Sequence, residues 1–488
     1  MTGFDAVLVA NRGEIAARIL RSVRALGLRA LLVSHADDAG APALALADDV
    51  RFLTGPTPVA AFLDGAQIIA AARAMGAGAI HPGYGFLAEN ADFAAAVAAA
   101  GLVFIGPPPE VIRLMGDKVR ARAFVAARGF PVAPGVVEDD DPAGFAAAAR
   151  ALGPPLLIKP SAGGGGKGMR IVRDMADLDA ELARARSEGL RYFGDGRLFV
   201  ERYVERPRHI EVQVLGDAHG GVVHLFEREC SLQRRFQKVV EEAPSPALDD
   251  RLRARICDAA VGIAAAGGYR NAGTVEFIMG ADGSFYFLEM NTRLQVEHPV
   301  TEAITGRDLV ADQIRIARGE PLGFAQGDVT RAGHAIELRI CAEAPGRDFA
   351  PTTGPVLHLA LPAGARCDMG VAPGGMVTPA YDSLLGKLIV HGATRAEALA
   401  AADAALAGLV LLGVETNIAW LRRLLADPDV VAGRLHTGLI GDRADLLAEP
   451  EPVARDALLA LALLHSAEAR RAADAVPALH AAMGAWRT

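Results

Sequence analysis

Along the first hundred positions, short apolar runs alternate with stretches of helical spacing. Residues 6–10 form an apolar run that ends on the turn Asn11-Arg12-Gly13. From Glu14 to Leu26 the apolar positions Ile15, Ile19, Val23 and Leu26 recur with a helical period. Residues 28–34 read as a strand, 66–75 as a helix, and 79–81 as a strand leading into the glycine-rich turn His81-Pro82-Gly83-Tyr84-Gly85. Strands separated by helices predict a doubly wound parallel sheet, an α/β unit that takes ligands at the carboxyl ends of its strands. This unit is expected to close after Gly106-Pro107-Pro108-Pro109, within a domain of residues 1–116.

Beyond 117 the pattern changes to α+β. A helix over 117–128 precedes a strand at 156–159, a glycine loop, and a strand at 169–172. Residues 210–215 and 222–226 pair naturally across a turn at 216–221, and 273–289 forms a further hairpin, so antiparallel strands are expected through about 330. A third unit, 331–445, carries strands at 335–341 and 387–391 followed by alanine-rich helices; residues 446–488 read as a helical tail.

Composition narrows the class. The 488 residues are 51% hydrophobic and 22% charged, with mean hydropathy +0.24, a globular chain. The net charge of −8 gives no overall basic field, so a nucleic-acid partner is not expected. No run of about 18 apolar residues occurs and no basic region precedes an apolar stretch at the start, which predicts a cytoplasmic protein without a membrane partner. Cys230, Cys257, Cys341 and Cys367 are far apart and are expected to be reduced thiols. Of 50 basic residues only five are lysine: Lys118, Lys159, Lys167, Lys238 and Lys387. A chain that writes surface charge as arginine keeps lysine where a compact ammonium is required.

Three constellations carry chemistry. Gly163-Gly164-Gly165-Gly166-Lys167-Gly168 lies between two strands and is followed by Met169, so it is not a P-loop. Its exposed backbone N–H groups, with Lys159 and Lys167, suit a lid over phosphates. In the hairpin 274–291, pairing Gly280 with Phe285 sets Glu276 opposite Glu289, with Asn291 on the same face. Facing carboxylates repel unless a divalent cation lies between them, and oxygen ligands suit magnesium or manganese. The loop that follows offers Arg293 as an oxyanion clamp, Gln295 to orient and Glu297 as a base. Lysines, glycine loop and paired carboxylates together read as ATP use: an acid is phosphorylated and its acyl group passed on.

At these residues the chain resembles the biotin carboxylases of the ATP-grasp superfamily. The matching stretches are ANRGEIAARI (10–19), HPGYGFLAEN (81–90), FIGP with MGDK (104–118), GGGGKGM (163–169), ERPRHIEVQV (205–214), ECSLQRRFQKVVEEAP (229–244), LEMNTRLQVEHPVTE (288–302), ELRICAE (337–343) and YDSLLGKLIV (381–390). The resemblance implies a central ATP-grasp domain at 117–330, with a glycine-lid subdomain at about 131–204, and a C-terminal biotin carboxylase domain. It implies that Lys118, Lys159 and the lid hold ATP phosphates, with Glu201, Val204, His209 and Gln233 around the adenosine. Glu276, Glu289 and Asn291 would bind magnesium or manganese. Glu297 would deprotonate bicarbonate held by Lys238, Arg293, Gln295 and the Val296 backbone; Arg339 would stabilise the biotin oxyanion, and Tyr84 would line the biotin site.

Phe236 departs from the family, where many members carry a histidine near the ribose; altered nucleotide affinity is expected there. No Met-Lys-Met motif occurs, so biotin is expected on a carrier that is a separate polypeptide or lies downstream in a longer chain. The tail could begin a connecting domain. A carboxyltransferase and a second copy of the chain are the other expected partners. Another ATP-grasp ligase and a non-catalytic assembly subunit are the competing readings. Lys387 falls in a matching stretch without an assigned role.

Overall fold

The short apolar runs of the first hundred residues become five parallel strands, ordered Asp49–Phe52, Arg29–Ser34, Ala6–Val9, Ala79–His81 and Val103–Phe104. The order reverses between Ala6–Val9 and Ala79–His81. Their carboxyl ends deliver Asn11 and the turn 82–85 to one place, the crevice that such sheets use for ligands. Helix Gly13–Ala25 buries Ile15, Ile19 and Val23, as its spacing predicts, and packs into a core that also holds Leu215, Leu225, Leu294 and Leu309 from the middle of the chain.

The computed structural model describes residues 3–138, 141–160 and 168–447, together with 466 and 471. Residues Met1–Leu446 form one unit and Leu447–Thr488 another. The glycine-loop positions Gly163, Gly164, Gly165, Gly166 and Lys167 lie outside the described residues, as does nearly all of the expected helical tail. Among the described residues, no helix is long and apolar enough to cross a membrane.

The largest sheet has eight antiparallel strands. They run Phe285–Asn291, Asn271–Met279, Arg208–Gly216, Val222–Arg234, Gln237–Ala243, His334–Cys341, Leu384–Gly392 and Arg366–Met369. Sequence places a boundary near 331, yet Gln237–Ala243 pairs directly with His334–Cys341, so one sheet runs across it. Helix Asp250–Ala266 covers the sheet with Ile256, Ala260 and Ile263 against Val212, Val275 and Phe277. A separate four-stranded sheet, Gly135–Val137, Leu198–Arg202, Leu156–Pro160 and Arg170–Val172, has its own core of Phe145, Ile158, Leu182 and Val200.

The hairpin register differs from the sequence expectation and still reaches the same result. Met279, not Gly280, pairs with Phe285, one residue out of step. A bulge between Glu276 and Phe277 then restores the offset, and Glu276 stands opposite Glu289. The bulge leaves Leu288 unpaired in the ladder.

Two buried polar residues lock the crevice. Asn11 donates through Nδ2 to the carbonyls of Pro82 and Tyr84, both at 2.7 Å, and accepts from the Arg12 N–H. Gly83 has φ +64°, and a Cβ there would lie 2.8 Å from that Nδ2, so only glycine permits this contact. His81 accepts the Gly83 N–H on Nδ1 and lies 3.1 Å from Gln313 Oε1 through Nε2. One ring nitrogen must accept while the other donates, which requires the neutral ring. Burial, first, together with the nearby Arg18, holds its pKa down at about 4.

Asn11→Ala leaves two carbonyls without their donor and is expected to destabilise the protein by about 1–3 kcal/mol, read as a lower urea midpoint. An unchanged midpoint would show that the turn does not depend on Asn11. For His81, the folded state binds fewer protons than the unfolded chain below pH 6.5. Its contribution therefore weakens stability as pH falls from 6.5 towards 4, and His81→Gln is expected to flatten that part of the stability–pH curve.

Candidate active site

A cleft of about 950 Å³ opens between the four-stranded and eight-stranded sheets and the turn 82–85. Its lining includes Tyr84, Lys118, Lys159, Glu201, Val204, His209, Gln233, Lys238, Glu276, Glu289, Asn291, Arg293, Gln295, Val296, Glu297 and Arg339. Every described residue assigned a site role from the sequence therefore lines one cavity, with the exception of Gly168; Lys387, singled out as a lysine without a role, does not. Gly168 has φ +78° and immediately precedes Met169, which does line it.

The centre is built from a row across the large sheet. Glu289, Glu276, Glu211 and Arg228 stand side by side on four successive strands. Three carboxylates in register would repel strongly in a half-buried sheet. Cations resolve this. Lys238 Nζ donates to Glu211 Oε2 at 2.5 Å, to Glu276 Oε1 at 2.9 Å and to Glu297 Oε1 at 2.6 Å. Arg228, fully buried, donates to Glu211, Gln213, Thr301 and Thr274. Glu289 pairs with Lys118 at 2.9 Å.

Glu297 precedes helix His298–Thr305 at the N-cap position without a side-chain capping bond, which leaves its second oxygen to accept from Arg339 at 3.0 Å. Arg339 also donates to Glu241 Oε1 at 2.7 Å. Burial pushes the Glu297 carboxyl up, but Lys238, Arg339 and Arg228 outweigh it and hold it well below the usual carboxylate range. Lys238 is the mirror case: burial works against its charge, and the carboxylates of Glu211, Glu276 and Glu297 keep the ammonium well above its ordinary value. Glu241, buried beside only one guanidinium, is pushed up to about 7.

Arg293 spans the loop, donating to Glu89 Oε2 (2.9 Å), Gln295 Oε1 (2.9 Å) and Asn291 Oδ1 (3.0 Å). Asn291 and Gln295 each donate to Glu276 Oε1, at 2.8 and 3.0 Å. At the opposite end, Lys159 pairs with Glu201, and Gln233 donates to His209 Nδ1 at 2.7 Å. Phe236 sits on the turn after Arg235, both with positive φ, and is 63% exposed at the cleft edge.

Glu276 and Glu289 each draw an ammonium, as hard oxygen donors facing one another should, and this donor set fits magnesium or manganese. Among the described residues ligand atoms converge in two other sets, His209 with Glu211 and Glu276, and Glu211 with Cys230 and Glu297. Glu289, paired with Lys118, is in neither set.

The sequence missed Glu211, Arg228, Glu89 and Glu14. Glu211 and Arg228 announce themselves only through strand register. Glu89 meets Arg293 from a segment 204 residues distant. Glu14 accepts from the Tyr84 hydroxyl, inside a motif quoted for other reasons. The four cysteines are free, and burial raises the Cys230 thiol well above its ordinary value, so it is inert.

Three family models match in succession: the biotin carboxylase N-terminal domain over 3–112, the ATP-binding domain of carbamoyl-phosphate synthase L chain over 117–325, and the biotin carboxylase C-terminal domain over 337–442. A biotin carboxylase of Nostoc is 46% identical over 90% of this chain and 98% of its own length. The mitochondrial methylcrotonoyl-CoA carboxylase subunit alpha of Arabidopsis thaliana is 44% identical over 95% of this chain, which spans 64% of that protein's length. The biotin carboxylase domain dimer of Hydrogenobacter thermophilus 2-oxoglutarate carboxylase, solved with MgADP, ADP and bicarbonate, superimposes with TM-score 0.86 at 42% identity, covering 92% of this chain and 99% of that one. With all three segments matched in order around a single cleft, the chain belongs to the biotin carboxylase family.

Proposed function

We propose that the protein carboxylates biotin on a carrier, using ATP and bicarbonate and forming ADP and phosphate through carboxyphosphate. The observation that carries this reading is the chain Lys238–Glu297–Arg339: an anionic carboxylate fixed between two cations beside a cleft lined by Lys118 and Lys159. Lys118, Lys159 and the glycine lid take the phosphates, and Glu201, Val204, His209 and Gln233 surround the adenosine. Glu276, Glu289 and Asn291 would hold magnesium or manganese, which would supply charge neutralisation for the phosphoryl groups.

Glu297 as it stands is held too tightly to be an effective base. A bicarbonate anion entering among Lys238, Arg293, Gln295 and the Val296 backbone competes with Glu297 for Lys238. As Lys238 turns to bicarbonate, Glu297 loses the first of the charges that depress its pKa and gains basicity where the proton has to leave. The deprotonated bicarbonate oxygen bonds to the γ-phosphorus as ADP departs. Carboxyphosphate then breaks to CO₂ and phosphate, the phosphate removes the biotin ureido proton, and that nitrogen bonds to CO₂. Arg339, freed from Glu297, faces the biotin oxygen that carries the charge, and Tyr84 lines that wall.

A carrier, a carboxyltransferase and a second copy of the chain are the proposed partners. Four free cysteines support a reducing compartment, the cytoplasm in this reading.

ADP release by the protein is expected to require both bicarbonate and free biotin for full stimulation. Turnover needing neither would favour another ATP-grasp ligase; none even with carrier supplied would favour a non-catalytic subunit. Glu297→Gln keeps the shape of the side chain and removes the base, so bicarbonate-dependent ADP release should fall by about 10²–10⁴-fold. Undiminished release would refute the assignment of the base.

A further inference from the structure

Lys387 lies behind the cleft wall and not in it. Its side chain is 0% exposed, on strand Leu384–Gly392, in register with Arg339 on one neighbouring strand and Asp368 on the other. Nζ donates to the carbonyl oxygen of Val296 at 2.6 Å and lies 3.3 Å from Glu14 Oε1. That same glutamate oxygen accepts from the Tyr84 hydroxyl. One ammonium thus links the loop that ends at Glu297 to the turn that carries Tyr84.

A buried ammonium needs counter-charge: Asp368, held low, despite burial, by Arg366 and Lys387, faces it together with Glu14 and Glu337, whose carboxyls burial raises, Glu337 well above its ordinary value, with neutral His298 close by. Charge balance alone does not explain the contacts made. Glu337 is fully buried and stands opposite Glu241 in the ladder, yet neither of its carboxylate oxygens has a hydrogen-bond partner. An ammonium serving only as a counter-ion would sit on its charged cross-strand neighbour Asp368, which pairs instead with Arg366 and Arg21. Lys387 instead makes its shortest contact with a backbone carbonyl. The Val296 carbonyl belongs to the peptide unit whose nitrogen is that of Glu297, so gripping it sets the plane from which the Glu297 side chain departs. Arginine cannot replace it easily: a planar fork does not fit a fully enclosed point contact.

We propose that Lys387 is a positioning residue that sets the Val296–Glu297 peptide for bicarbonate and, through Glu14, couples it to Tyr84. This rests on the bicarbonate reading of the cleft given above. ATP meets the opposite end, at Lys159, Glu201 and Gln233, none of which contacts Lys387. The two substrates should therefore respond differently to its loss.

Two variants of the full chain test this. Lys387→Met removes the ammonium but leaves Glu14 and Glu337 without it. Lys387→Met/Glu337→Gln also removes the unpartnered buried acid that could ionise there, so it tolerates the loss even where the single variant folds poorly. ADP release is measured over bicarbonate and over ATP concentration, with direct binding of ADP and a thermal melt alongside. Loss of one charge-assisted hydrogen bond that positions the site should raise the KM for bicarbonate, or lower kcat with it, by about ten- to a hundredfold. ADP affinity should stay within about twofold of wild type. In the double variant thermal stability should return while the bicarbonate defect remains. Recovery of bicarbonate KM and kcat in the double variant would show a mere counter-ion and overturn the proposal. So would a loss of ADP and bicarbonate affinity in parallel, which marks a general structural defect. Wild-type protein without bicarbonate dependence would overturn the parent reading and this one together, whereas a bicarbonate-dependent wild type with unaltered variants overturns this one alone.

Discussion

The ammonium of Lys238 is the interaction on which the rest of the structure depends. It binds at once Glu211 and Glu276, two of the three glutamates in one row of the sheet, and Glu297 from the loop. Without it, the row would bring uncompensated carboxylates into a setting where charge is costly to bury. Buried ion clusters of this kind seldom add stability over a well-packed apolar core. Under the proposed function, their value is that Lys238 can change partners when an anionic substrate arrives, which would make the basicity of Glu297 depend on occupancy of the site.

The eight-stranded sheet supplies the rigidity for such an exchange. Lys238 and Arg339 come from strands on either side of the boundary expected near 331, and those strands pair with each other through Val240 and Leu338. Both grips on Glu297 therefore share one ladder. The turn 82–85 enters from a different sheet and is tied in by Asn11, by Glu14 and by the buried network around Lys387. Groups held by separate hydrogen-bonded supports of this kind keep their geometry better than groups on free loops.

Much of this was legible along the chain. The scarcity of lysine pointed to five positions. Three of the five line the cleft, a fourth lies directly behind it, and Lys167 falls outside the described residues. Alternating apolar runs anticipated the parallel sheet, because burial on both faces leaves an unmistakable pattern. The facing glutamates came out correctly from a register that was one residue wrong, since sequence spacing counts residues and does not reveal a bulge. Glu211, Arg228 and Glu89 were not legible. Nothing local marks a glutamate as the neighbour of another until strands from distant parts of the chain are aligned.

The sequence by itself determined the elements, the family and the set of chemical groups, because these depend on local period, turn residues and motif spacing. Tertiary structure alone decided which cation holds which carboxylate. Lys118 turned to Glu289, Lys238 to three partners, and Lys387 to a peptide carbonyl while Glu337 was left unpaired. Those choices follow from distances between strands and from burial, and electrostatic preference at a few ångströms is a property of the folded neighbourhood rather than of any stretch of chain.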